Sequence, residues 1–170
     1  MARSPREDLR VELLNAGHDR VNFSCGVESL DRYLQTQAGQ DIRRKAKAVF
    51  VLTERAVPER VLGYYTLCAM AIAQGEVPDA ARKYIPRYPL VSATLIGRLA
   101  VAKDHQGQRL GAVLLADALR RAFETAGTVG SSMVVVDALD EAAAAHGFVR
   151  LPDSLRLVLP MRVAGGSAER

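Results

Sequence analysis

Apolar residues recur along this chain with two different periods. From Leu110 onward, Leu110, Leu114 and Ala118 form one stripe, Val113, Leu115, Leu119 and Ala122 lie beside it, and Asp117, Arg120, Arg121 and Glu124 gather opposite. That spacing predicts an amphipathic helix over 108–126. Leu30, Tyr33 and Leu34 predict a second helix beginning near Val27, with Arg32 and Gln35 toward water and a continuation or successor through 37–45. β-Branched and aromatic runs at 10–14, 47–53, 60–71, 92–101, 132–137, 148–151 and 155–159 read as strands. The pair 47–53 and 60–71, divided by Ala56-Val-Pro-Glu59, reads as an antiparallel hairpin. Pro78, Pro86 and Pro89 interrupt the stretch 74–89, which is expected to be an exposed irregular excursion with one short helix near 79–83. An Ala-rich helix over 139–145 and a frayed tail from about 164 complete the expectation.

Strands and helices mix without a repeat. The expected class is therefore α+β: a mixed, mostly antiparallel sheet flanked by helices, with one parallel step across the 108–126 helix. At 170 residues, 49% hydrophobic and 25% charged, the chain suits a single domain over 1–170. No window approaches the ~20 apolar residues of a membrane span, and the start has no secretory apolar segment, so a cytoplasmic protein without membrane contact is expected. Cys25 and Cys68 are then expected as reduced thiols. His18, His105 and His146 form no close pair, and no metal is expected. The net charge of +4 is modest, but Arg43-Arg44-Lys45-Ala-Lys47 and Arg82-Lys83 with Arg87 are dense enough to hold phosphates, although a solvated face is the commoner reason for such clusters.

The most informative stretch is 95–123, which reads as strand, glycine-containing turn and helix start. Amides of such a turn and of the first helical turn lack intrahelical partners, and the helix dipole adds positive charge, so a diphosphate can dock there. Gly107 and Gly111 leave room for it. The alternative is a surface helix capped by glycines with no ligand.

The spacing Gln106-Gly107-Gln108-Arg109-Leu110-Gly111-Ala112 resembles the acetyl-CoA diphosphate loop of the GNAT N-acetyltransferases, Gln/Arg-x-x-Gly-x-Gly/Ala. Arg109 stands where that pattern has its middle glycine; it either adds a charge-assisted contact to phosphate or crowds the loop. Phe23-x-Cys-Gly-x-x-x-Leu-Asp-x-Tyr-Leu34, Gly63-Tyr-Tyr-Thr-Leu67, Gly97-Arg-Leu-Ala-Val101 and Asp137-Ala-x-Asp-Glu141 through Gly147-Phe148 extend the likeness over about 10–161. Together they resemble the acetyltransferase toxins of toxin–antitoxin modules.

That resemblance implies a GNAT fold and a toxin that moves acetyl from acetyl-CoA to the α-amine of aminoacyl-tRNA, blocking translation. It also implies silencing by a ribbon-helix-helix antitoxin, contact with operator DNA only through that antitoxin, and a homodimer. Leu99, Ala100 and Val101 correspond to the central strand whose backbone amides hold the pantetheine and polarise the acetyl carbonyl, splaying from its neighbour near 134–137, with Asp137 at the site. An ordinary fully paired core strand is the alternative. Arg43, Arg44, Lys45, Arg82, Lys83 and Arg87 become candidates for tRNA phosphate contact.

The proton donor is where the chain departs. These toxins carry a Phe-Tyr pair shortly before the Gly-Phe, and the tyrosine hydroxyl serves as general acid, whereas Asp140-Glu-Ala-Ala-Ala-Ala-His-Gly-Phe148 contains no tyrosine. Either the helix is shorter by about one turn or alanines replace the pair; the retained Ala-rich lead and His146-Gly-Phe148 favour the shortening. His146 has a suitable intrinsic pKa, but a solvent-facing residue at a helix end fits it better; Cys68 and Ser92 are weaker substitutes. A disarmed toxin, a GNAT acting on a small amine or protein amino group, and a non-catalytic antitoxin-binding co-repressor all remain compatible with these residues.

Overall fold

The computed structural model describes residues 8–136, 149–150 and 157–162. In chain order the elements are β1 (Leu9–Leu13), α1 (Glu28–Arg32), a π-helical turn (Tyr33–Gln37), α2 (Ala38–Arg43), β2 (Ala48–Glu54), β3 (Gly63–Ala73), α3 (Asp79–Arg82), β4 (Leu90–Val101), α4 (Leu110–Val129), β5 (Met133–Val136), β6 (Val149–Arg150) and β7 (Leu157–Pro160). The strand order is β1-β2-β3-β4-β5-β7-β6. β1/β2, β5/β7 and β6/β7 are antiparallel, and β4/β5 is the parallel step, with α4 as its connection. The α+β layout expected from the sequence is the one found.

Two compact units divide the described residues. One runs up to Thr66 and takes in Arg98–Asp117; the other holds Leu67–Gly97 and the residues from Ala118 onward. In the first, Phe23, Tyr33, Leu34, Ala38, Val49, Val51 and Tyr64 build the core, joined by Ala100 and Ala102. Tyr64 is central, edge-on to Phe23 at 5.5 Å and stacked on Tyr33 at 6.3 Å. In the second, β5 is buried along its whole length, as its unbroken Met-Val-Val-Val predicts.

The excursion between β3 and β4 differs from expectation. Val77, Ala81 and Ile85 are buried against Ile72, Val91, Met133, Val135 and Val158, while Tyr84 and Tyr88 stay exposed. The prolines do end regular structure, but the four-residue spacing of the three apolar side chains puts them on one side of α3 and its flanks, and their burial outweighs the irregular backbone.

The helix after the glycine turn starts two residues later than its pattern suggests and runs on to Val129. Asp117, expected on its polar face, is half-buried and accepts the Tyr65 hydroxyl at 2.5 Å. Tyr65 is fully buried and stacked on Phe50 at 5.2 Å, so its hydroxyl needs an internal acceptor and draws the carboxylate inward. α2 closes with Lys45 in the left-handed region (φ 59°), and the Ala46 amide donates to the Asp41 carbonyl.

Gly63 is the most crowded of the described glycines in the first unit. A Cβ placed there would lie 2.8 Å from the Ala100 carbonyl oxygen and 2.8 Å from Leu114 Cδ1, and Leu114 is fully buried. Gly63→Ala is expected to destabilise the protein by about 1–3 kcal/mol in urea unfolding. An unchanged midpoint would show that β3 and β4 are not so closely opposed.

Candidate functional site

β4 presents its two faces differently. Leu99 and Val101 flank α4, where a Cβ at Gly111 would meet Leu99 Cδ2 at 3.9 Å and Val101 Cγ2 at 4.0 Å. Ala100 turns the other way, into the core with Tyr33 and Tyr64. Pairing with β5 covers residues 93–96, ending at Ile96 opposite Val136, and β4 continues five residues past that point.

Beyond Val101 the chain makes a 3-10 turn, Lys103–His105, tied down by the Lys103 amide donating to the Ser24 carbonyl at 2.8 Å. The Gln106 side-chain amide donates to the carbonyls of Cys25 (2.8 Å) and Val101 (3.0 Å). Its role is thus to brace the loop against strand end and core, with its amide nitrogen turned inward. Gly107 (φ 83°) and Arg109 (φ 61°) then take left-handed conformations. The helical ladder begins only when the Val113 amide donates to the Arg109 carbonyl at 3.3 Å.

The consequence is a continuous set of free donors. The amides of Gly107, Gln108, Arg109, Leu110, Gly111 and Ala112 meet no acceptor among the described residues. They sit at the positive end of a helix of 20 residues. Backbone donors in this state need water or an anion, and a diphosphate offers acceptors enough for several. Gly107 is required by its φ, whereas Gly111 has ordinary space for a Cβ. The left-handed φ at Arg109 explains why a glycine belongs there: an L side chain in that region costs about 1–2 kcal/mol.

The other expected site residues separate. Asp137 and His146 lie outside the described residues. Cys68 is half-buried on β3, and Ser92 on β4 sits 3.4 Å from the Ser132 hydroxyl. Arg43, Arg44 and Lys45 are exposed at the C-terminal end of α2, where cations also complement the helix dipole. Arg82 bonds the Val77 carbonyl (2.9 Å) and faces Asp79 (3.2 Å), and Lys83 lies 5.0 Å over the Tyr84 ring. Arg87 is exposed. Among the described residues no group of three or more His, Cys, Asp or Glu could hold a metal ion, and no helix is long and apolar enough to cross a membrane.

The buried tyrosines offer no ready proton donor. Tyr33, Tyr64 and Tyr65 are buried and donate to Asp41, the Leu30 carbonyl and Asp117. Burial pushes the Tyr64 phenol well above its ordinary pKa, so it holds its proton harder still. Burial likewise raises the Cys25 thiol, which leaves it a poor nucleophile. Arg98 and Lys47 both lie over the Tyr33 ring; Lys47 closes the basic run 43–47, whereas Arg98 was not among the expected site residues. An arginine inside the otherwise apolar run 95–102 was the available signal.

The model of the acetyltransferase (GNAT) family matches residues 28–151. The chain belongs to this family. A tRNA-acetylating toxin of Mycobacterium tuberculosis is 35% identical to this GNAT chain over 151 residues, covering 86% of it and 88% of the relative. Among solved structures, AtaT complexed with acetyl-methionyl-tRNAfMet superposes with a TM-score of 0.83 at 30% identity, over 95% of this chain and 99% of that one. A mutant AtaT toxin bound to the C-terminus of the antitoxin AtaR and acetyl-CoA gives 0.78 at 29% identity, over 96% and 99%. The GNAT fold anticipated from the Gln106 to Ala112 turn and its flanking motifs is therefore the fold of this chain.

Arg109→Gly tests the turn. Relief of strain exceeds the added freedom of the unfolded chain, so thermal unfolding should show a gain of up to about 1 kcal/mol. Coenzyme A affinity measured by calorimetry should fall if the guanidinium contacts phosphate, and lower stability would contradict the left-handed assignment.

Proposed function

We propose that this chain is an acetyl-CoA-dependent N-acetyltransferase toxin whose acceptor is the α-amine of aminoacyl-tRNA. The carrying observation is the run of unpartnered amides from Gly107 to Ala112 at the mouth of α4, backed by Leu99 and Val101 on the adjacent face of β4. These amides would hold the coenzyme diphosphate, with Gln106 bracing the loop and Arg109 adding charge. Leu99 to Val101 would lie along the pantetheine and orient the thioester carbonyl; Asp137 belongs to the same proposed site. Acetyl-CoA supplies the activated acyl group. What the protein must add is exclusion of water, a neutral amine at the carbonyl, and a proton for the departing thiolate.

The relatives support the choice of acceptor: one is a tRNA-acetylating toxin and another is seen with acetyl-methionyl-tRNAfMet. Arg43, Arg44, Lys45, Arg82, Lys83 and Arg87 are the proposed phosphate contacts on tRNA. Control by an antitoxin is proposed from the AtaR complex of the similar toxin. The ribbon-helix-helix class of that antitoxin, operator contact through it, a homodimer and a cytoplasmic setting complete the reading.

A second reading follows from one specific observation. Residues 137–148 hold no tyrosine, and the three buried tyrosines are committed to internal acceptors. On this reading the chain is a toxin scaffold with little acetyl transfer, retaining coenzyme and antitoxin binding as a co-repressor module.

Acetyl transfer from labelled acetyl-CoA to a mixture of charged tRNAs separates the two, run beside a variant with Phe-Tyr and two further residues inserted after Ala145. The disarmed scaffold predicts weak transfer by the parent and a gain of about 100-fold or more on insertion, the usual worth of a positioned general acid. Robust transfer by the parent would refute disarming. Failure of the parent to bind coenzyme A in calorimetry would refute the transferase itself.

A further inference from the structure

Arg98 sits on β4 directly before Leu99. Its guanidinium carbon lies 3.8 Å from the centroid of the buried Tyr33 ring, and Lys47 Nζ lies 5.4 Å from the same centroid. The nearby carboxylate is taken: Asp41 Oδ2 accepts the Tyr33 hydroxyl at 2.9 Å and has Lys47 Nζ at 3.9 Å. The Arg98 backbone amide donates to Thr66 Oγ1 at 3.0 Å, which anchors the main chain but leaves the guanidinium donors unmatched by any carboxylate among the described residues. A half-buried guanidinium without a carboxylate keeps a desolvation cost that stacking on a phenol ring only partly offsets.

Position narrows what could complete it. Arg98 shares the β4 face of Ala100, whose side chain enters the core with Tyr33 and Tyr64, whereas the free amides of α4 belong to the face of Leu99 and Val101. The diphosphate loop and the guanidinium therefore lie on opposite faces of one strand. Lys47, which faces Asp41 of α2 at 3.9 Å, follows closely in the chain on the exposed Arg43, Arg44 and Lys45 that end α2. The π-helical turn that carries Tyr33 widens the helix where the ring must reach both cations.

We infer that Arg98, stacked on Tyr33 and supported by Lys47, binds a phosphate of the acceptor nucleic acid, the last cation of a track that leads from the end of α2 to the acetyl-bearing strand. A planar fork with five donors suits a phosphodiester, and stacking preorganises it at low entropic cost. This rests on the tRNA reading proposed above and assigns to Arg98 a positioning role: it would hold the aminoacyl end against β4 without touching the reacting atoms. The same chemistry could serve a phosphate of coenzyme A, and the two sources give different results.

The test measures deacylated tRNA affinity across a salt series and coenzyme A affinity by calorimetry, for the parent, Arg98→Gln and Arg98→Lys. Arg98→Gln should bind tRNA about tenfold more weakly at low salt, with the log–log salt slope reduced by about 0.7–0.9, the share of one phosphate, and coenzyme A affinity unaltered. Arg98→Lys keeps charge but not the fork and should retain the slope while losing part of the affinity. Unchanged tRNA affinity, or a loss confined to coenzyme A, overturns the assignment. If Arg98→Gln unfolds, Arg98→Lys decides: tRNA affinity equal to the parent's overturns it. A parent that binds tRNA but not coenzyme A would sink the transferase reading while leaving Arg98 standing; a parent that binds coenzyme A but not tRNA would sink the Arg98 inference.

Discussion

Backbone amides cannot be left dry. From Gly107 to Ala112 the chain holds a run of them that finds no acceptor among the described residues, and much of the surrounding structure serves to keep it so. Gln106 pins the loop to Cys25 and Val101, Lys103 pins it to Ser24, and two left-handed residues turn the chain before the helical ladder can begin. Relaxing any of these would let the amides fold back onto carbonyls of their own turn. The loop is thus held in a state that only water or an anion completes, and an anion gains the helix dipole as well.

Arg109 gives this arrangement a cost. A glycine adopts φ 61° freely, but an arginine adopts it only because neighbouring contacts impose it. Strain of this kind persists where the local geometry has a use, and the side chain that bears it carries a charge suited to phosphate. Lys45 is, with Arg109, one of two non-glycine residues with a left-handed φ among the described residues, and it too is a cation at a helix boundary, there ending α2.

The phenols show how packing can remove chemistry that a residue count suggests. Tyr33, Tyr64 and Tyr65 all lie in the unit that contains the loop, yet each hydroxyl is directed to an internal acceptor and each ring is part of an aromatic contact. Tyr33 has become a platform for two cations rather than a proton donor. An acid for the departing thiolate must then come from elsewhere, and the 137–148 segment has no tyrosine to supply it.

Elements with a regular local pattern were legible in the chain alone: the α4 stripe, the all-apolar β5, the apolar run of β4 and the glycine turn between β4 and α4. Local spacing determines them, because a period of 3.6 or 2 residues sets which side chains share a face before any partner is present. The order of the loop motif likewise marked out the turn whose amides find no acceptor among the described residues. What only the tertiary structure decided depends on distant partners. Asp117 turned inward because Tyr65 needed an acceptor 52 residues away in sequence; Val77, Ala81 and Ile85 went inside because strands of the second unit offered them a surface. Arg98 reads as a stray charge in an apolar strand until Tyr33 arrives beneath it. Proximity between residues far apart in the chain is created by folding, and no local pattern encodes it.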